Sequence, residues 1–367
     1  RSLLTIGQKQ KAIEHAALAA GNGEEASADT ILLYASLCLD DKKFDEAEKQ
    51  LNRLIALDPK ALPTIELSAR IFHAKGDNAK AIGELRRAFD EYKAAANNLV
   101  VGIGLLRIFA DLKLHDAGEA FGKELAALGP KGQIAYAEYL ASRGKAAEAR
   151  GLLESAFKAG AQADAVRSSL ALASESENPA DWLTQTDSLL SIALKGQPES
   201  IELLQSLAYL RHLQGNFNEE IRLYQEILGR NPNNFLFMNN MAWTLSEEMK
   251  KPQEGLDRIN EALKKVGMQA HLLDTRGVIL LRLDKITEAI KDLELAVTGL
   301  PTAPVFYHLA RAYQKAGKTA DFEKYRDLAR KANLKPEQLQ ASEREEASKL
   351  VGFAKAAEPT APKISKP

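Results

Sequence analysis

The sequence predicts an all-α chain built as a stack of antiparallel helix pairs, and three observations carry that prediction. The first is the stretch from Ile201 to Asn234. Its first half places Leu204, Leu207, Ala208 and Leu210 at the spacing of one helix face. Gly215 breaks that helix and Asn216 is a suitable cap for the next. The second half then carries Phe217, Ile221, Tyr224, Ile227 and Leu228 on one stripe, which Pro232 ends. The second observation is recurrence. Ala47 to Ala81, Ala208 to Ala242 and Pro198 to Pro232 are each 34 residues apart, and Gly76 to Gly144 is twice that. The third is composition: aromatics are only 6%, while Ala and Leu are abundant, which suits helices packed closely through small residues. One such hairpin cannot bury its own apolar face, so it needs neighbours.

Taken in order, Ser2 to Ala20 reads as one amphipathic helix with Ile6, Ile13, Ala16 and Ala20 apolar, ended by Gly21-Asn22-Gly23. It has the look of the second helix of a repeat whose first half is missing. A first full repeat runs Ala28 to Ala61, with Ile31, Tyr34, Ala35 and Cys38 in its first helix and Phe44, Ala47, Leu51, Leu54 and Ile55 in its second. A second runs Leu62 to Ala95 around a turn at Gly76. The third, near Asn98 to Lys131, is degenerate, and the fourth, near Pro130 to Ala163, recovers the pattern with Tyr136, Ala137, Leu140, Gly144, Ala149 and Leu153. The fifth is the weakest; Asn178-Pro179 opens its second helix, in which Trp182 falls on the packing stripe. The hairpin at 201–234 is the sixth. The seventh, Phe235 to about Gln269, has a longer turn through Lys250-Lys251-Pro252, which the 35-residue step from Ala242 to Gly277 reflects. The eighth runs Ala270 to Thr302 and the ninth Ala303 to Pro336. Glu220 and Phe322 replace the small residue expected in two of the second helices, so packing there must differ.

This layout resembles the tetratricopeptide repeat, a 34-residue helix–turn–helix unit. The resemblance implies a right-handed superhelical solenoid. Residues 1–27 would be a partial repeat, 28–336 an array of about nine repeats, 337–352 a capping helix and 353–367 a disordered, Ala/Pro/Lys-rich tail. It further implies that the first helix of each pair (helix A) lines a concave groove. Positions between the packing residues of helix A would then face a partner: Gln205, Tyr209 and His212; Asn239, Trp243 and Ser246; Asp274, Val278 and Arg282; Tyr307, Arg311 and Gln314. Aromatic, amide and guanidinium groups in one stripe suit peptide recognition. Some members of that family clamp a C-terminal carboxylate with Lys/Arg and Asn on successive A helices. Leu32 and Ser36, Glu66 and Arg70, Gln205 and Tyr209, and Asn239 and Trp243 do not reproduce that clamp.

Charge and motifs narrow the function. Net charge is −1, so no global field recruits nucleic acid or anionic membrane, and the groove stripe is not basic enough for RNA. The single cysteine, Cys38, permits no intrachain disulfide and no Cys-based zinc site. No Gly-rich phosphate loop, HExxH or GxSxG occurs, the six histidines have no i, i+4 pairing, and Glu343 with Glu345-Glu346 reads as a solvated face. No cofactor and no catalysis are expected. The apolar run Leu99–Leu106 is stopped by Arg107, far short of a membrane span. The expectation is a non-enzymatic scaffold for a protein or peptide. The rival is a presenting arm of a larger enzyme or of an envelope or exopolysaccharide secretion complex. Arg1 in place of Met is read as a mature form or a fragment, and the compartment as cytoplasm or bacterial periplasm. An incomplete first repeat should leave Leu3, Ile6 and Ile13 exposed unless self-association covers them.

Overall fold

The computed structural model describes residues 9–21, 26–92 and 98–352; Leu3, Ile6 and the predicted tail at 353–367 lie outside the described residues. Among those residues every regular element is helical. The chain divides into two compact units at Gly215 and Asn216.

The first unit holds α1 (Lys9–Ala20), α2 (Ala28–Asp40), α3 (Phe44–Leu57), α4 (Leu62–Ala74), α5 (Asn78–Tyr92) and α6 (Asn98–Asp111). It continues with α7 (His115–Ala126), α8 (Pro130–Ser142), α9 (Ala146–Lys158), α10 (Gln162–Glu175), α11 (Ala180–Gly196) and α12 (Ile201–Leu213). The second unit holds α13 (Phe217–Arg230), α14 (Phe235–Trp243), a π turn (Thr244–Glu248) and α15 (Pro252–Val266). After these come α16 (Ala270–Arg282), α17 (Ile286–Gly299), α18 (Ala303–Lys315), α19 (Thr319–Lys331) and α20 (Ala341–Leu350).

Inside each unit an A helix packs on the B helix that follows it: α2 on α3, α4 on α5, α6 on α7, α8 on α9 and α10 on α11 in the first, and α14 on α15, α16 on α17 and α18 on α19 in the second. Within each unit, neighbouring A helices also touch one another, as α8 touches α10 and α16 touches α18. Small residues make this possible. Ala47, Ala81, Ala149 and Ala289 in the B helices, and Ala35, Ala69, Ala137 and Ala310 in the A helices, are all fully buried. At Gly277 on α16 even a methyl group is too much, because an added Cβ would stand 2.5 Å from Leu293 Cγ on α17. Hairpin length and register are those of a tetratricopeptide-type array.

The turns after the A helices share one conformation, a single left-handed residue, except at 176–179 between α10 and α11. Gly76, Gly144, Gly215 and Gly317 take it with φ of 68–84°, as glycine does at no steric cost. Lys42, Lys113, Lys250 and Asp284 take it too, with φ of 55–59°. The turn thus survives where glycine is absent, and that is why the sequence signal faded in the third repeat.

The expectation at the amino end needs correction. Ile13 is buried, not exposed: with Ala12 and Ala16 it packs on Leu37 of α2. A lone helix can cover one face of the first complete hairpin. Arg53 on α3 fastens its end, donating to the carbonyls of Ala20 and Gly21 at 3.0 and 2.9 Å. Trp182 is buried as expected, with the Arg150 guanidinium 5.6 Å from its ring. Cys38 is buried among Ile31, Leu39 and Leu51, and burial pushes its thiol pKa up. None of the described helices is long and apolar enough to cross a membrane.

Candidate functional site

The A-helix face of the second unit begins on α14. Asn234 caps that helix, its Oδ1 accepting from the amides of Leu236 and Phe237 at 3.1 and 3.5 Å. Asn239 and Trp243, one helical turn apart, are both half-buried. Asn239 Oδ1 and Trp243 Nε1 are enclosed and have no hydrogen-bond partner among the described residues.

Beyond Trp243 the helix widens. Met249 N donates to Thr244 O at 3.0 Å and Lys251 N to Leu245 O at 2.9 Å, the i to i+5 and longer bonds of a π turn. The extra residue of the seventh repeat therefore sits inside helix A, not in the turn at Lys250-Lys251-Pro252 as its spacing suggested. Glu220 on α13 gives the physical reason. It stands where other B helices carry a small residue, yet it is 1% exposed. Thr244 Oγ1 donates to Glu220 Oε1 at 3.1 Å, so the widened turn supplies a donor to a carboxylate that burial would otherwise penalise. π turns of this kind concentrate at functional positions. The Tyr224 phenol, beside Glu220, is held well above its ordinary pKa, by burial first and by the Glu220 charge second.

The π turn also places Glu247 in the interior, at 0% exposure. Arg282 at the end of α16 reaches it, with Nε and Nη2 at 2.8 and 2.6 Å from Oε2, and Ser246 Oγ donates to Oε1 at 3.0 Å. Further along the same face, Asp274 Oδ1 meets His308 Nδ1 at 2.8 Å, and His308 Nε2 meets Glu343 Oε1 of α20 at 3.1 Å. Arg311 Nε donates to Glu346 Oε1 at 2.8 Å. A row of charges thus links the π turn, α16, α18 and α20. Glu343, read from sequence as part of a solvated face, is 2% exposed.

The structure sorts the predicted residues. Asn239, Trp243, Asp274 and Arg282 are brought together on the A-helix side of one unit. Tyr307 and Arg311 are on that side too, but at 0% and 2% exposure they are covered, because α20 lies against them; Val278 is likewise buried. Helical spacing alone could not show that the chain returns over this side. His308, which meets Glu343 of α20, is one position off the stripe and was missed. Its signal lay in the 34-residue step from Asp274. In the first unit, Gln205 and Tyr209 on α12 are exposed, and the Tyr209 ring stacks on His212 at 6.4 Å and 12°. Neighbouring A helices there are bridged by Arg167 to Glu202 at 3.3 Å and by Ser168 to Glu138 at 3.0 Å. Among the described residues no cluster of three His, Cys, Asp or Glu is arranged to hold a metal.

No protein-family model matches the chain, and no curated protein matches it. Solved structures do. A thermophilic TPR protein from Thermus thermophilus is 18% identical over 45% of this chain and 89% of that one, with a TM-score of 0.37. A tetratricopeptide repeat protein from Parabacteroides merdae is 15% identical over 72% and 98%, with a TM-score of 0.41. Yeast Tom70 is 13% identical over 95% and 92%, with a TM-score of 0.37.

Proposed function

We propose that this chain is a non-enzymatic interaction scaffold whose A-helix faces take a peptide or helix of a partner protein. The observation that carries the reading is the pair Asn239 and Trp243. A buried acceptor and a buried donor without partners each cost about 1–3 kcal/mol, and these two lie one turn apart on α14. A peptide backbone carries both complements, an N–H for Asn239 Oδ1 and a C=O for Trp243 Nε1. The Trp243 ring itself provides the large rigid anchor typical of such contacts. In the first unit, Tyr209 stacked on His212, with Gln205 one turn before it, is the corresponding exposed aromatic.

The test is affinity capture with the intact chain, read by quantitative mass spectrometry, for wild type, the double variant Asn239→Ala/Trp243→Ala, and Tyr209→Ala. The double variant should lose specific partners by about tenfold or more while circular dichroism shows unchanged helicity. An identical set of captured proteins from wild type and both variants would reject these faces as the binding surface.

A further inference from the structure

Resting on the scaffold reading above, we propose that the A-helix face of α18 is a binding site for an acidic helix with two carboxylates three residues apart. In this structure α20 is the chain's own occupant of that site, and a partner helix of that chemistry must displace it.

The recognising groups lie on α18, and one of them is oriented from α16. Asp274 takes Nδ1 of His308 and so turns Nε2 toward α20. Arg311, also on α18, stands one turn further on. Glu343 and Glu346 have the i, i+3 spacing that puts two side chains on one helix face, and each meets one of these cations, at 3.1 and 2.8 Å. Ser342 Oγ adds a contact to Glu248 of the π turn at 3.3 Å. The charge pattern is complementary and one-sided: cationic groups on α18, carboxylates on the docked helix.

Several features make α20 replaceable. At ten residues it is too short to hold a helix by itself. The nine residues between α19 and α20 include Pro336, and Leu334 and Leu339 there supply much of the apolar contact, so α20 contributes Ala347 and the partly buried Leu350, with Val351 just beyond its end. The fit is also incomplete. Tyr307 Oη and Arg311 Nη1 are enclosed without a hydrogen-bond partner among the described residues, and Glu343 Oε1 is 4.0 Å from Arg311 Nη1. A partner helix that places one more acceptor against these groups gains what α20 leaves unmade.

The experiment uses the full chain and, as probe, a fluorescein-labelled peptide with the sequence of residues 337–352, read by anisotropy at low salt. Wild type should bind it weakly. Glu343→Gln/Glu346→Gln, which loosens the chain's own helix and leaves the site intact, should bind it at least tenfold more tightly. Adding His308→Gln and Arg311→Met should abolish that gain, and a probe with both Glu positions changed to Gln should not bind. A folded Glu343→Gln/Glu346→Gln chain that fails to bind the probe overturns the proposal. Should that variant misfold, hydrogen exchange on wild type decides instead: saturating probe should deprotect the amides of 341–350, and unchanged protection overturns the proposal. A wild-type dimer that dissociates with Glu343→Gln/Glu346→Gln would mean that a second copy supplies the helix, and also overturns it. Loss of probe binding with capture through Trp243 intact removes this inference alone; probe binding without such capture removes only the earlier reading.

Discussion

Arg282 and Glu247, 35 residues apart and on successive A helices, form a two-pronged ion pair around a carboxylate that no solvent reaches. The pair exists because the π turn rotates the end of helix A inward. Removing one partner leaves the other charge stranded, which typically costs 3–5 kcal/mol for a buried pair. The Arg282 side chain is 35% exposed, so the lower end applies. Arg282→Met should destabilise the chain by about 3 kcal/mol, and Glu247→Gln added to it should recover part of the loss. Urea midpoints for the single and double variants check this; a single variant indistinguishable from wild type contradicts it.

Thr244 provides a sharper probe of the π turn. Its hydroxyl donates to the buried carboxylate of Glu220, and a hydrogen bond to a charged group is worth about 1.5–3 kcal/mol. Thr244→Val keeps the volume and removes the donor, so a loss of about 2 kcal/mol is expected, again from urea midpoints. Thr244→Val in a Glu220→Ala background should cost much less, because the carboxylate is then gone. Equal losses in both backgrounds would show that the hydroxyl does not serve Glu220.

How much of this was legible in the sequence depends on which force sets each feature. The hairpins were, because burial imposes a period: Ala47, Ala81 and Ala149 recur at multiples of 34 residues, and each is fully buried. The helix face bearing Asn239, Trp243, Asp274 and Arg282 followed from the same period. The π turn was half legible. The 35-residue step from Ala242 to Gly277 showed an extra residue, but a slip in backbone hydrogen bonding leaves no mark in side-chain periodicity; Glu220 at a small-residue position marked altered packing without showing its form. The return of α20 over Tyr307 and Arg311 was hidden, since it depends on a few charges between segments that periodicity treats as separate. The burial of Ile13 was missed for the opposite reason: an incomplete repeat was equated with an open face.

The left-handed turn residues give a prediction of opposite sign at two sites. Lys113 holds φ of 55° at an exposed turn, a conformation that costs an L-residue with a Cβ about 1–2 kcal/mol. Lys113→Gly removes that cost but adds freedom to the unfolded chain, so the net gain should be about 0.5–1 kcal/mol. Gly215→Ala, at φ of 72° with open space around it, should lose about 1 kcal/mol. Thermal midpoints moving in opposite directions would support this reading; a Lys113→Gly chain that melts lower than wild type would refute it.

His308 makes the docking of α20 depend on pH. The ring is enclosed by Asp274 of α16 and Glu343 of α20, with Tyr307 and Arg311 of α18 beside it. Burial opposes the charged ring, but the two carboxylates outweigh it and hold the pKa at about 10. The folded value lies above the ordinary 6.5, so the stabilisation from the imidazolium is complete below about pH 6.5. It then declines as pH rises and is gone once pH passes about 10, because the unfolded state releases its proton first. The urea midpoint of wild type should therefore fall between pH 7 and 10 more steeply than that of His308→Gln, which cannot titrate. Asp274→Asn, which removes one of the two carboxylates, should move the wild-type decline to lower pH. Parallel midpoint curves for wild type and His308→Gln would mean that the ring is neutral in the folded chain and that Glu343 is held by some other contact.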